Sequence, residues 1–222
     1  MIETGAPAAQ TIGILGAGRV GTALARLALA AGYEVRMATS RAPSEIELLL
    51  KIITPGAVAA TAEEVALGSD IVVLALPLFR YRTLRPDLLA GKVVVDVMNY
   101  WSPTDGRLEE FEGEEASSEV IQRFLPDARL VRSFNHMGYH EIEGEARAIG
   151  AGDRRALAIA ADDPVARQAV ADFIDRLGYD PVDAGPLRSA RNFGAGTPIF
   201  GASLARDELI DLLGAASESA AS

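Results

Sequence analysis

The 222-residue chain has no cysteine and only two histidines. Without cysteine there can be no disulfide, thiolate metal site or cysteine nucleophile. His136 and His140 lack a third ligand of the same kind, so no metal site is expected. Long apolar runs are missing as well. A membrane-spanning helix needs about 18 consecutive apolar residues, and the best stretch, Thr22 to Gly32, is short and carries Arg26. Basic residues are outnumbered, 21 against 31 acidic ones, which leaves a formal charge of −10. That field repels nucleic acid and anionic lipid, so neither is an expected partner. Met1 to Gln10 contains Glu3 and no basic residue, unlike the start of a secretory signal, and the expected location is cytoplasmic.

What remains is an ordinary globular composition, 49% hydrophobic and 23% charged. Short apolar runs alternate with stretches of helical period. Strands are predicted at Thr11 to Leu15, Tyr33 to Met37, Val58 to Ala60, Asp70 to Leu76, Val93 to Val97, Arg129 to Phe134, Ala156 to Ala160 and Tyr179 to Asp183. Between them lie predicted helices at Thr22 to Ala31, Ser44 to Ile53 with Ser44 as N-cap, Thr61 to Leu67, Ser117 to Phe124 and Val165 to Leu177, with a last one from Pro198 to Leu213. Thr61 and Glu64 have the spacing of a capping box. This order reads as an α/β, Rossmann-type doubly wound fold with a mainly parallel sheet and a small C-terminal helical cap. Residues 1–9 read as a flexible leader, 10–214 as a single dinucleotide-binding domain with its cap at about 185–214, and 215–222 as a flexible tail.

The strand Thr11 to Leu15 runs into Gly16-Ala17-Gly18-Arg19-Val20-Gly21, which opens a helix. Gly16 permits the sharp turn, Gly18 lets the backbone approach a pyrophosphate, and Gly21 allows close helix–strand packing. The helix N-terminus offers unpaired N–H groups and partial positive charge to the phosphates. After the second strand an NAD site commonly places a carboxylate on the ribose 2′-hydroxyl. This chain has Ala38-Thr39-Ser40-Arg41, with no carboxylate between Glu34 and Glu45. Two hydroxyls and a guanidinium suit a 2′-phosphate, so the expected cofactor is NADP.

In a doubly wound sheet ligands sit beyond the carboxyl ends of the strands. Ala75, Leu76 and Pro77 end one strand and join the cofactor-binding set; Asn99 and Trp101 follow another; Asn135, His136 and Met137 follow a third. Asn99, Trp101, Asn135, His136 and Met137 form the candidate acceptor pocket, with Asn99 also placed against the cofactor. Such aromatic, amide and imidazole groups suit a flat heterocycle, although Trp101 could equally be core and His136 a hydrogen-bonded structural histidine. Arg80, Tyr81 and Arg82 fit either an anionic tail of the acceptor or a solvated helix start. The acidic stretch Glu109 to Glu119 reads as a solvated loop and helix start.

With these residues in view, the chain resembles the coenzyme F420-dependent NADP oxidoreductases over roughly Thr11 to Leu204. The likeness rests on the glycine turn with Thr39-Ser40-Arg41, on Asp70 to Pro77, and on Asp183-Ala184-Gly185-Pro186-Leu187 with Arg191 and Thr197-Pro198 downstream. It implies an NADP-dependent oxidoreductase that exchanges hydride with a small-molecule acceptor, F420 being a possible second substrate, and it implies a homodimer. The NADP-binding fold is shared with the cytosolic domain of membrane ferric reductases, so the fold does not name the acceptor. The chain also departs from the family: Asn135 stands where a histidine is frequent. Flavin, quinone, ferric chelate or a small carbonyl compound are alternative acceptors, and a non-catalytic NADP-binding redox sensor is a further alternative.

Overall fold

A computed structural model describes residues 10–113 and 115–219. The expected leader therefore lies outside the described residues. Eight strands form one sheet: β1 (Thr11–Leu15), β2 (Glu34–Ala38), β3 (Val58–Ala59), β4 (Ile71–Leu74), β5 (Val93–Asp96), β6 (Arg129–Arg132), β7 (Ala156–Ala161) and β8 (Asp180–Gly185). The helices are α1 (Arg19–Ala30), α2 (Pro43–Ile53), α3 (Ala62–Leu67), α4 (Pro86–Leu89), α5 (Ser102–Asp105), α6 (Ser117–Phe124), α7 (Pro164–Arg176) and α8 (Arg206–Ser219).

Strand order is β3-β2-β1-β4-β5-β6-β7-β8. Every pairing is parallel except β6 with β7. The central strands are apolar throughout and buried on both faces, as in TIGIL of β1, IVVL of β4 and ALAIAA of β7. Helices cover both sides. α1 buries Ala23, Leu24, Ala25 and Ala28 in a cluster that continues through Ile12, Ile14, Val73 and Phe173. On the opposite face Val65, Leu74, Val94 and Ile121 form a second cluster. The chain winds outward from β1 to β3, then crosses back to β4 on the other side of β1. That reversal opens a crevice at the carboxyl ends of β1 and β4.

Most differences from expectation concern helix ends. α2 starts at Pro43, and the Glu45 side chain reaches back to the Ala42 N–H at 2.8 Å, so Ser44 is not the cap. At α3 the capping box is present: the Thr61 N–H donates to Glu64 at 2.7 Å, and the Glu64 N–H donates to Thr61 Oγ1 at 3.1 Å. The predicted helix from Pro198 to Leu213 begins only at Arg206, after a 3₁₀ turn at Leu187–Phe193 and an irregular stretch in which Gly196 and Gly201 take positive φ. α8 then continues through Ser219, into what the sequence suggested was tail, because Ala215 and Ala216 favour helix strongly. This C-terminal segment packs Ala190, Phe193, Leu209 and Leu213 against Ala156, Ala158, Ala160 and Val182 at the β7–β8 end of the sheet.

Candidate functional site

The glycine turn sits at the crevice, and its three glycines meet three different surroundings. Gly16 has φ +121° and donates its N–H to the Ala38 carbonyl at 2.8 Å. A Cβ at Gly16 would lie 2.2 Å from the Ala75 carbonyl oxygen. A Cβ at Gly21 would lie 2.2 Å from the Gly16 carbonyl oxygen. These two glycines let β1, α1 and the end of β4 approach one another. Gly18, the N-cap of α1, would carry its Cβ into open space. No side chain caps α1 and no acidic residue lies in its first turn, so its N–H groups face that space without a competing carboxylate.

In front of the turn lies a cavity of about 560 Å³. Its walls include Gly16, Ala17 and Gly18 from the turn, Thr39, Ser40 and Arg41 from the β2–α2 loop, and Ala75, Leu76 and Pro77 from the end of β4. The lining contains no carboxylate. Arg80 and Arg85 line it as well. Asp87 engages Arg85, whereas neither Arg41 nor Arg80 is paired with a carboxylate among the described residues. Thr39 Oγ1 accepts from the Arg41 N–H at 3.1 Å and shapes the loop. A cavity of this size, lined by backbone donors and by guanidinium groups with no carboxylate partner among the described residues, suits a phosphorylated nucleotide. Of the Arg80–Arg82 trio only Arg80 lines it: Tyr81 is buried with its hydroxyl on Glu110, and Arg82 pairs with Glu110 at 3.2 Å.

Arg19 and Val20 complete the turn. Val20 packs half-buried on the core below it. Arg19, the first residue of α1, points across to Tyr139 beyond β6. Its guanidinium lies 5.1 Å from the ring centroid and donates to the hydroxyl at 3.0 Å.

The residues grouped as an acceptor pocket divide. Trp101 is 57% exposed, on the rim after β5. Asn99 is half-buried, and its Nδ2 donates to the Asn135 carbonyl at 2.6 Å. Asn135, His136 and Met137 are buried instead. The Asn135 amide donates to the Phe193 carbonyl at 3.1 Å. His136 Nε2 accepts the Ala158 N–H at 3.2 Å, and the ring meets Phe193 edge-on with centroids 5.2 Å apart. Burial, with Arg155 and Arg132 nearby, lowers its pKa to about 3, so the ring is neutral. His136 is therefore a core histidine tying β6 to β7 and not a pocket wall, and Met137 belongs to the core cluster.

Two features at this edge escaped sequence reading. Asp96, fully buried, and Arg132, 3% exposed, end the adjacent strands β5 and β6 and pair at 2.9 Å. Desolvation lowers the Arg132 pKa against the opposing pull of Asp96. Phe134 is buried with φ 60°, a left-handed backbone unusual for a bulky residue. The available signal was a charge closing each of two neighbouring apolar strands, VVVD and RLVR.

Comparison with known proteins follows the same division. Residues 11–100 match the family model described as "NADP oxidoreductase coenzyme F420-dependent". This segment belongs to that family. A crystal structure of a "putative f420 dependent nadp-reductase" from Arthrobacter sp. FB24 is 27% identical, with a TM-score of 0.70, covering 88% of this chain and 99% of that one. A hypothetical protein from Sinorhizobium meliloti is 25% identical with a TM-score of 0.75, covering 89% and 96%. Metalloreductase STEAP3 of Rattus norvegicus is 30% identical over 186 residues, which is 82% of this chain and 35% of that protein. The chain thus spans about a third of the length of the curated relatives it matches. The matched segment holds the whole glycine turn, Thr39 to Arg41, the end of β4 and Asn99, and it ends just before Trp101. It contains the NADP-binding Rossmann fold of an oxidoreductase; no helix among the described residues is long and apolar enough to cross a membrane.

Proposed function

We propose that the chain is an NADPH-dependent reductase that holds NADPH in the cavity and passes hydride to a deazaflavin of the F420 type at the Asn99–Trp101 edge. The observation that carries this reading is the carboxylate-free cavity joining the glycine turn to Thr39, Ser40 and Arg41. NADPH, when bound, supplies the hydride from its nicotinamide ring. The protein's part is placement. N–H groups at the start of α1 hold the pyrophosphate, and Thr39, Ser40 and Arg41 hold the 2′-phosphate. Ala75, Leu76 and Pro77 form an apolar edge beside the nucleotide, and Trp101 offers an exposed ring on which a flat acceptor can stack. No protein acid, base or nucleophile is required. Mixing the protein with NADPH and F420 should bleach the visible absorbance of the deazaflavin; tight NADPH binding without that change overturns the acceptor assignment.

A second reading replaces the deazaflavin by a ferric chelate. Its motive is the 30% identity to a metalloreductase over most of this chain, together with Asn135 at the position where the F420 family frequently has histidine. NADPH oxidation with a ferric chelate, and none with F420, selects it. The resemblance further supports a cytoplasmic homodimer, for which light scattering should return twice the mass of one chain.

A further inference from the structure

The ends of β5 and β6 contain two costly features within a few residues of each other. One is the buried ion pair of Asp96 and Arg132, and the other is the left-handed backbone of Phe134. Taking two charges out of water is expensive, and apolar residues of similar volume often serve stability as well or better. Left-handed backbone at a bulky residue likewise persists only where its surroundings impose it, and such outliers gather at ligand clamps. Both features lead to one side chain.

Arg132 makes three contacts. It pairs with Asp96 at 2.9 Å, donates to the Met98 carbonyl, and donates through Nη2 to Asn99 Oδ1 at 2.9 Å. Asp96 is fixed in turn by Ser118 Oγ at 2.8 Å and by the Met98 N–H at 3.0 Å. On the other side, the turn through Phe134 brings the Asn135 carbonyl to Asn99 Nδ2 at 2.6 Å. Arginine can only donate and a carbonyl can only accept. The amide of Asn99 therefore has one possible orientation. It retains one N–H and one carbonyl lone pair for a ligand, the complement of a hydroxyl that both accepts and donates.

The geometry points to Arg132 as a positioning residue: through the Asp96 pair it locks the Asn99 amide to grip a hydroxyl of the nicotinamide ribose. This rests on the NADPH reading above. The adenosine half of the cofactor, at Thr39 to Arg41, lies outside its reach, and that separation supplies the test.

Binding of NADPH and of 2′,5′-ADP, which lacks the whole nicotinamide mononucleotide half, should be measured by calorimetry. The proteins compared are wild type, Asn99→Ala, Arg132→Lys and the charge-neutral double variant Asp96→Asn/Arg132→Met. Arg132→Lys keeps the charge beside Asp96 and loses the fork that also reaches Asn99. NADPH affinity should fall about tenfold in all three variants while 2′,5′-ADP affinity stays at the wild-type value. Adding Arg132→Lys to Asn99→Ala should cost nothing further, because Arg132 acts through that amide. If Arg132→Lys fails to fold, the double variant, which leaves no unpaired buried charge, carries the same comparison, and Asn99→Ala changes only a half-buried side chain. Arg132 variants that bind NADPH as wild type does, or that lose both ligands equally, overturn the assignment. Wild-type protein that binds neither ligand overturns the NADPH reading itself, an outcome separate from those two.

Discussion

The two ends of the crevice are built by opposite means. At the glycine-turn end, where we propose that the adenosine half binds, the site is mostly backbone and open space. Glycines remove side chains, α1 presents uncapped N–H groups, and Arg41 and Arg80 have no carboxylate partner among the described residues. At the Asn99 end the site is mostly satisfied side chains, a buried ion pair, a strained phenylalanine and a histidine locked to a neighbouring strand. An anion is held by donors left free, so that end needs vacancy and charge. An oriented ring is held by an amide that cannot rotate, so the other end needs every alternative hydrogen bond already taken.

The largest effects should come from filling the vacancy in the wrong place. Gly16→Ala sets a Cβ 2.2 Å from the Ala75 carbonyl on a backbone with φ +121°. Strain and overpacking together should cost about 3 kcal/mol of stability or more, seen as a lowered denaturation midpoint, and NADPH binding should be lost. Gly18→Ala is the control within the same turn, since its Cβ meets nothing within 4 Å. Stability should change by less than about 1 kcal/mol while NADPH affinity still falls, because the methyl group occupies the space left for phosphate. Equal loss of stability at both positions would show that the turn is merely structural.

Next in size is the charge at the 2′-phosphate. Arg41→Glu replaces attraction by repulsion and should weaken NADPH binding by on the order of 100-fold, with NADH binding little changed. Fluorescence titration of the two cofactors reads the ratio, and equal losses would remove Arg41 from the phosphate site.

These first two tests concern what was legible in the residues themselves. Gly16, Gly18 and Gly21 announce their purpose because each absence of a side chain has a local cause: a turn, a contact or an approach. Thr39-Ser40-Arg41 is legible for the same reason, as one loop with one charge. The succession of strands along the chain followed from the apolar runs; helix ends such as Pro43 and Arg206 differ where a proline or a glycine-rich approach sets the boundary, and the short helices α4 and α5 carry too little periodicity to be read. The Asn99 end resisted because its meaning is carried by long-range pairs. Asp96 and Arg132 pair across 36 residues of sequence, and Asn99 and Asn135 bond across that same separation. His136 looked like a pocket residue because it follows a strand end; only the antiparallel placement of β7 beside β6 shows its Nε2 taken by Ala158.

His136 also makes a pH prediction. Its pKa is lowered from 6.5 to about 3 in the folded state, so the unfolded chain binds a proton that the folded one refuses between those values. Stability from this group is complete above pH 6.5 and is lost as pH falls toward 3, at up to about 1.4 kcal/mol per pH unit. Carboxylates contribute their own slopes, so the measurement is the difference between wild type and His136→Gln in denaturant midpoints from pH 7 to pH 5. The variant should be less stable at pH 7 and should show the shallower decline. Parallel slopes would mean that the ring is not held neutral in the core.

The smallest effect on the fold should come from the most exposed member of the acceptor edge. Trp101 is 57% exposed, so Trp101→Ala should leave the denaturation midpoint within about 0.5 kcal/mol of wild type. An aromatic platform that stacks a flat ring is worth about 1–3 kcal/mol to the bound molecule. Half-saturation for the acceptor should therefore rise about tenfold or more while NADPH affinity holds, since in the proposed site the exposed ring serves the acceptor and other residues hold the nucleotide. The split between the two substrates is the informative quantity. A Trp101→Ala variant that loses NADPH and acceptor together would place the ring on the nucleotide, and the crevice would then have one working end instead of two.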